Sequence, residues 1–235
     1  MENPKVSVII PAHNEEQFIK RTIESVRGSE YKNLEIIVVV NGSTDRTYEI
    51  AKSLVDKALS FAQSLGPSGA RIEGVKVATG DIFLFLDADT LFSLKVVGEV
   101  ARAGSQNIIG TCLAKAEKWE IRSWLFFSAK NWMHRIKIIK SVIDGVIFCS
   151  KDLYFKAGGF NPNEKVAEFH NLIRKARKAG GRYKCLTSCY AIVSVRRYEK
   201  KGYLRIIFYW IGWGIAWLFK TDKKKADEYW QENKK

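Results

Sequence analysis

"IFLFLDADT", residues 82–90, decides how the chain is read, because five strongly apolar residues run directly into two aspartates, Asp87 and Asp89. An apolar run without alternation reads as a strand buried on both faces. Two carboxylates at its mouth, one residue apart on a tight turn, can hold a hard divalent cation, Mg²⁺ or Mn²⁺, that bridges to the phosphate oxygens of a ligand. The competing use of such a pair is to cap the turn and the helix after it.

Two upstream runs have the same character: "VSVIIP" (6–11), closed by Pro11, and "LEIIVVV" (34–40), closed by "NGSTD". Between them Ile19, Ile23 and Val26 recur at helical spacing within "EEQFIKRTIESVRGS", predicting about four turns. Asp45 or Thr44 is placed to cap a second helix through "RTYEIAKSLV". "ALSFAQ" predicts a short strand, "GPSG" a loop, and "ARIEGVKVAT" a helix leading into residues 82–86. Repeated strand–helix–strand units imply a parallel sheet whose ligand crevice lies at the carboxyl ends of the strands. "PAHNEE", "NGSTD" and "DADT" are therefore expected to converge there. Beyond residue 90 the sequence predicts a helix near 93–103, a strand "NIIGTCL" (107–113), an aromatic and basic segment at 120–140, and a strand "GVIFCS". A turn at "GGF", a helix "VAEFHNLIRKARKAGG" ended by Gly180, and a last strand "YAIVSV" follow.

Composition bounds the possibilities. With 235 residues, 46 % of them hydrophobic, the chain can bury a sizeable core. Its 39 Lys and Arg against 25 Asp and Glu give +14, a surface suited to nucleic acid, anionic lipid or phosphorylated metabolites. Cys112, Cys149, Cys185 and Cys189 form no CxxC pair and read as buried, reduced thiols. No early segment resembles a signal peptide, so a cytoplasmic location is expected.

Taken in order, "SVIIPAHNEE", "VVNGSTDRT", "GDIFLFLDADT" and "AGGFN" resemble the signatures of family 2 glycosyltransferases with the GT-A fold, over residues 5 to about 195. The resemblance implies a Rossmann-like, mainly parallel sheet flanked by helices, and an inverting, metal-dependent hexosyltransferase using a UDP- or GDP-linked donor. It implies that Pro11, Ala12, Asn14 and Glu15 line the nucleotide pocket, together with Asn41, Ser43 and Ala88. Asp87 faces the ribose or the metal, Asp89 coordinates the metal, and Arg71 approaches the donor phosphates. Glu168 is the expected general base, with Asp144 and Glu164 as competitors. The chain departs from the family at Val40 and Asn41, where Asp-Asp is usual, at Ile72 in place of Asn, and at Phe169 in place of a second acid. The Gln-x-x-Arg-Trp pattern of processive synthases is absent, which favours single transfers. His170 is a candidate ligand for metal or diphosphate, His13 lies in the nucleotide motif, and His134 offers no specific chemistry.

Residues 196–235 are expected to form a separate aromatic and basic, amphipathic helical segment, following a catalytic domain at 1–195. Its apolar run, Ile206–Phe219, is 14 residues long. As a helix it would extend about 21 Å, short of a hydrocarbon core of about 30 Å. Nine Lys or Arg against two acids over 196–225 suit peripheral attachment to the cytosolic face of a membrane. A polyprenyl phosphate or lipid-linked glycan is then the expected acceptor. Helix packing on the domain or on a partner would explain the run as well. Two other functions stay open at this point. A nucleic-acid-binding protein would fit the charge but leaves Asp87 and Asp89 without use, and a non-catalytic nucleotide-binding relative fits Phe169 and Val40.

Overall fold

The computed structural model describes residues 3–104, 106–136, 145–164, 167–196, 199 and 202. Asp144, the run Ile206–Phe219 and most of its basic flanks lie outside the described residues.

Eight strands form one sheet in the order β3-β2-β1-β4-β7-β6-β8-β5. The strands are β1 (Val6–Ala12), β2 (Leu34–Asn41), β3 (Lys57–Phe61), β4 (Ile82–Leu86), β5 (Thr90–Phe92), β6 (Ile108–Ala116), β7 (Val146–Ser150) and β8 (Arg182–Val193). β1 runs parallel to β2 and β4, β2 to β3, and β6 to β8, whereas β7 is antiparallel to β4 and β6, and β5 to β8. Helices cover both faces. Val6, Val8 and Ile10 point to one layer, against Ile19, Ile23 and Val26 of α1 (Ile19–Arg27) and Val96, Val97 and Val100 of α4 (Val96–Gly104). Ile9, Phe83 and Phe85 point to the other, against α3 (Gly66–Val77), α6 (Lys151–Lys156) and α7 (Glu168–Lys178). This two-sided burial is why β1, β2 and β4 are apolar without alternation.

Several boundaries differ from expectation, each for a local reason. The first helix begins at Ile19 because the preceding loop is held in another conformation. Asn14 is left-handed (φ 53°), and the amides of Asn14, Glu15 and Glu16 donate to Ser43, Thr47 and Asp45 side chains. Such side-chain acceptors offer the backbone an alternative to helix. The N-cap position of α2 (Thr47–Lys52) is Arg46 rather than Asp45 or Thr44, and Asp45 Oδ1, one residue earlier, accepts from the Thr47 amide at 3.0 Å. "GPSG" is not a loop but the first turn of α3, where Pro67 loses no hydrogen bond and its fixed φ suits the helix. Within α3, a Cβ on Gly74 would come within 2.5 Å of Ile9, so glycine lets the helix sit close on β1.

The last strand starts eight residues before "YAIVSV". Of residues 182–189 of β8 only Leu186 and Cys189 are buried, and a register shift at Cys112/Leu113 interrupts the pairing with β6. Strand β5 and helix α6, the latter capped by Ser150 accepting from the Leu153 amide, had no sequence signal strong enough to predict them. The segment at 120–140 is helix α5 (Ile121–Arg135). Cys112, Cys149 and Cys189 are buried and Cys185 half-buried, all as free thiols, and burial pushes the Cys149 thiol well up.

Candidate active site

The carboxyl ends of β1, β2 and β4 bring the three expected segments together. At the end of β4, the Asp87 amide donates to the Gly145 carbonyl (2.9 Å). A Cβ on Gly145 would lie 2.3 Å from Asp87 Oδ2, so this glycine is what lets the Asp87 carboxylate pass the β7 strand. Behind the turn, Thr22 Oγ1 of α1 donates to the Ala88 carbonyl at 2.7 Å in the core. The aspartate pair is thus fixed by backbone contacts on two sides.

The β1 and β2 loops are stapled to each other. Asn14 Oδ1 accepts from the Thr44 amide (2.9 Å) and the Asn14 amide donates to Ser43 Oγ (3.0 Å). Asn41 is buried, donates through Nδ2 to the Gly66 carbonyl (3.2 Å) and accepts from the Leu65 amide. It ties β2 to the start of α3, while His13 Nδ1 donates to the Asn41 carbonyl (2.8 Å). Pro11 is half-buried and Ala12 is buried at the end of β1.

Two guanidinium groups link four carboxylates. Arg71, 2 % exposed, donates to Asp87 Oδ1 (2.7 Å) and to Glu168 Oε1 (3.0 Å). Its plane lies over Phe169, 4.4 Å from the ring centroid, with Phe160 at 5.8 Å. Phe169 therefore serves as the floor beneath this cation. Glu168 opens α7 after Ala167, which is left-handed at φ 59°, a conformation costing roughly 1–2 kcal/mol for a residue with a Cβ. Arg196, just past β8, donates through Nε to Asp89 Oδ2 (3.0 Å) and through Nη2 to Glu15 Oε1 (2.5 Å), with Nη2 also in ion-pair contact with Asp89 Oδ2 at 2.9 Å. Its guanidinium also stacks 4.5 Å from the Phe18 ring. Glu15 Oε2 is buried and, among the described residues, accepts no hydrogen bond. Burial pushes the Glu15 pKa up, Asp89 and Asp87 push it in the same direction, and Arg196 opposes them.

Arg196 and Gly145 are the components that sequence reasoning missed. Gly145 could have been found as a glycine directly before an apolar strand; Arg196 was assigned to the tail as one of many surface cations. Of the other candidates, Glu164 has a buried Oε2 with no partner among the described residues, and its carbonyl accepts from Ser68 Oγ, beside the first turn of α3. His170 is half-buried in α7, and burial lowers its pKa to about 4.

The donor set suits a hard divalent cation. It consists of carboxylate oxygens, and the Arg196 guanidinium already places positive charge against Asp89 and Glu15. Among the described residues no three His, Cys, Asp or Glu side chains form a metal cage. A cation here would take its remaining ligands from water and phosphate, the usual arrangement for Mg²⁺.

Comparison with known proteins agrees with this geometry. Over 134 residues the chain is 36 % identical to a dolichol-phosphate mannosyltransferase of Pyrococcus furiosus, covering 52 % of this chain and 37 % of that one. Over 123 residues it is 30 % identical to the Campylobacter jejuni GalNAc(5)-diNAcBac-PP-undecaprenol beta-1,3-glucosyltransferase, covering 48 % and 40 %. The chain thus spans well under half the length of these curated relatives. The mannosyltransferase PcManGT of Pyrobaculum calidifontis, solved with GDP-Man and Mn²⁺, superposes with a TM-score of 0.69 at 21 % identity, over 86 % of this chain and 59 % of that one. S. aureus TarS with UDP-GlcNAc gives 0.65 at 21 %, over 82 % and 59 %. These likenesses show the fold, a GT-A-type mixed sheet between helices. The sequence signature described as Glycosyl transferase family 2 matches residues 7–156, more than half of the chain, and the chain belongs to that family.

Proposed function

We propose that this chain transfers a single hexose, with inversion, from a UDP- or GDP-linked donor to an acceptor carried at a membrane surface. The observation that carries the reading is the convergence of Glu15, Asp87, Asp89 and Glu168 around Arg71 and Arg196 at the carboxyl ends of β1 and β4. The nucleotide-sugars bound by the structural neighbours, and the undecaprenol- and dolichol-linked chemistry of the two curated relatives, support it.

In this reading Asn14, Glu15, Asn41 and Ser43, on loops bonded to each other, form the nucleotide side of the crevice with Pro11, Ala12 and Ala88. Asp89, with Asp87 beside it, would hold Mg²⁺ or Mn²⁺, which supplies positive charge to the departing diphosphate. Arg71 is too deeply buried to be an open phosphate ligand; it positions the carboxylates of Asp87 and Glu168. Glu168, held by Arg71 through Oε1, takes the proton from the acceptor hydroxyl on the face opposite the leaving group. Residues 196–235 are assigned to attachment at the cytosolic face of the membrane.

A screen of UDP- and GDP-sugars with Mn²⁺, read as nucleotide release in the presence of membrane lipid extract, tests the reaction. Glu168→Gln should lower kcat by about 10²-fold or more, the typical contribution of a general base, with nucleotide affinity unchanged by calorimetry. Loss of nucleotide binding in Glu168→Gln, or full turnover, would remove Glu168 from this role. Nucleotide binding by the wild-type chain without turnover of any donor would instead favour a non-catalytic relative.

A further inference from the structure

We infer that the outward face of α5 docks on an anionic lipid bilayer. The inward face of this helix carries Ser123, Phe127, Lys130 and His134. Its outward face carries Ile121, Trp124, Leu125 and Trp132, each more than half exposed, and Trp119 just before the helix is 80 % exposed. At 100° per residue, positions 121, 124, 125, 132 and 136 fall within a stripe about 120° wide. The usual amphipathic arrangement is inverted, with a lysine and a histidine inside and tryptophans outside. Among the described residues, six of the nine large hydrophobic side chains exposed to solvent lie in Trp119–Ile136. Scattered exposed apolar residues are ordinary, but a contiguous patch marks a contact.

Charge selects the occupant. Arg122 and Arg135 are exposed on this helix, Lys130 lies on its inward face, and residues 121–135 contain no acidic residue. A second copy would bring this basic face against itself in a self-complementary contact. The chain's own apolar run 206–219 is likewise flanked by basic clusters. Anionic headgroups are complementary to all of them, and tryptophan with arginine suits the headgroup layer. At 15 residues, α5 would extend about 22 Å, and no helix among the described residues is long and apolar enough to cross a membrane. It would lie in the interface plane.

The face is also connected to the candidate site. Phe127 packs with Ala114 of β6 and with Val195, and Arg196, next in the chain, bonds Asp89. Lys118, just before α5, bonds Glu199 at 3.2 Å. Docking through α5 therefore brings the bilayer to the side of the molecule from which β8 delivers Arg196 to the acidic pair. This inference rests on the membrane-surface part of the proposed function and is independent of sugar transfer.

The test is sedimentation of the full chain with vesicles of phosphatidylcholine containing phosphatidylglycerol. Trp124→Ser with Leu125→Ser and Trp132→Ser should weaken partitioning at least tenfold, and Arg122→Glu with Arg135→Glu should weaken it at low salt, with thermal unfolding unchanged in both. The charge pair retains the apolar stripe, so it decides the matter if the triple variant folds poorly. Unchanged partitioning in both variants, with binding lost only when Trp210, Trp213 and Trp217 are replaced, would assign the membrane contact to the tail and overturn the inference. A wild-type dimer that the triple variant converts to monomer would assign the face to a second copy and overturn it as well. A wild-type chain that ignores these vesicles yet releases nucleotide from a donor would sink the membrane contact while leaving sugar transfer standing.

Discussion

Helices α1 and α5 each lie against the sheet along one face and turn the other to solvent, and they divide their side chains between those faces in opposite ways. α1 buries Ile19, Ile23 and Val26 against β1 and leaves Lys20, Arg21 and Glu24 to solvent. α5 buries a lysine, a histidine and a serine beside Phe127, and exposes Ile121, Trp124, Leu125 and Trp132. The first helix is stabilised by the fold it belongs to. The second is positioned by the fold for something outside it.

The largest test of that contrast is truncation on each helix. Ile23→Ala removes a fully buried side chain and should cost about 2–5 kcal/mol, the range for large-to-small changes in a packed core. Trp124→Ala should stay within about 0.5 kcal/mol in the absence of lipid, as exposed substitutions do. Chemical denaturation of both variants measures this. A comparable loss in Trp124→Ala would mean that α5 hides its outer face against another part of the chain.

A second test uses buried charge. Glu35 is 4 % exposed at the start of β2. Burial alone would raise its pKa, but hydrogen bonds from Ser7 (2.6 Å), Thr79 and Lys57 (3.1 Å) hold it down to about 2. Its folded value is below its unfolded one, so its stabilisation is present above about pH 4.5 and is lost as pH falls toward 2. We expect it to be on the order of 2 kcal/mol, and Glu35→Gln should flatten the acid limb of the stability profile. Lys130 behaves in the opposite sense. Burial lowers its pKa to about 7, so the unfolded chain binds the proton more tightly between pH 7 and about 10.5, and stability rises with pH across that window. Lys130→Met should abolish the rise and stabilise the fold at pH 7. A flat alkaline profile in the wild type would show that Lys130 keeps its proton inside.

The same contrast explains which parts of the molecule could be read from sequence. β1, β2 and β4 are buried on both faces, so their composition alone marks them, and the acidic pair after β4 was legible because a strand end has few other uses for two carboxylates. The tie between Arg71 and Glu168 spans 97 positions and has no local pattern. Phe169 read as a lost acid and proved to be the floor beneath Arg71. The first half of β8 carries no strand signal because few of its positions are buried and a bulge interrupts its pairing, and "GPSG" reads as a loop because glycine and proline punctuate loops more often than they open helices.

The smallest expected effect lies where the two regions meet, at Arg196. This residue closes the acidic site built by the first half of the chain, yet it directly follows Val195, which packs on Phe127 of α5. Its guanidinium bonds Asp89 and Glu15, so it and a divalent cation compete for the same carboxylate oxygens. Arg196→Ala should therefore tighten Mn²⁺ binding to the nucleotide-free protein. The side chain is 44 % exposed, and half-exposed ion pairs contribute less than a buried pair. With 1.4 kcal/mol per factor of ten, the gain should be roughly threefold to tenfold. Arg196→Lys should fall between, because an ammonium retains the charge but cannot reach both acids with a planar fork. Mn²⁺ titration followed by electron paramagnetic resonance measures free cation directly, without turnover. Weaker Mn²⁺ binding in Arg196→Ala would mean that the guanidinium holds Asp89 and Glu15 in the geometry the cation requires, which would make Arg196 a support of the site rather than its occupant.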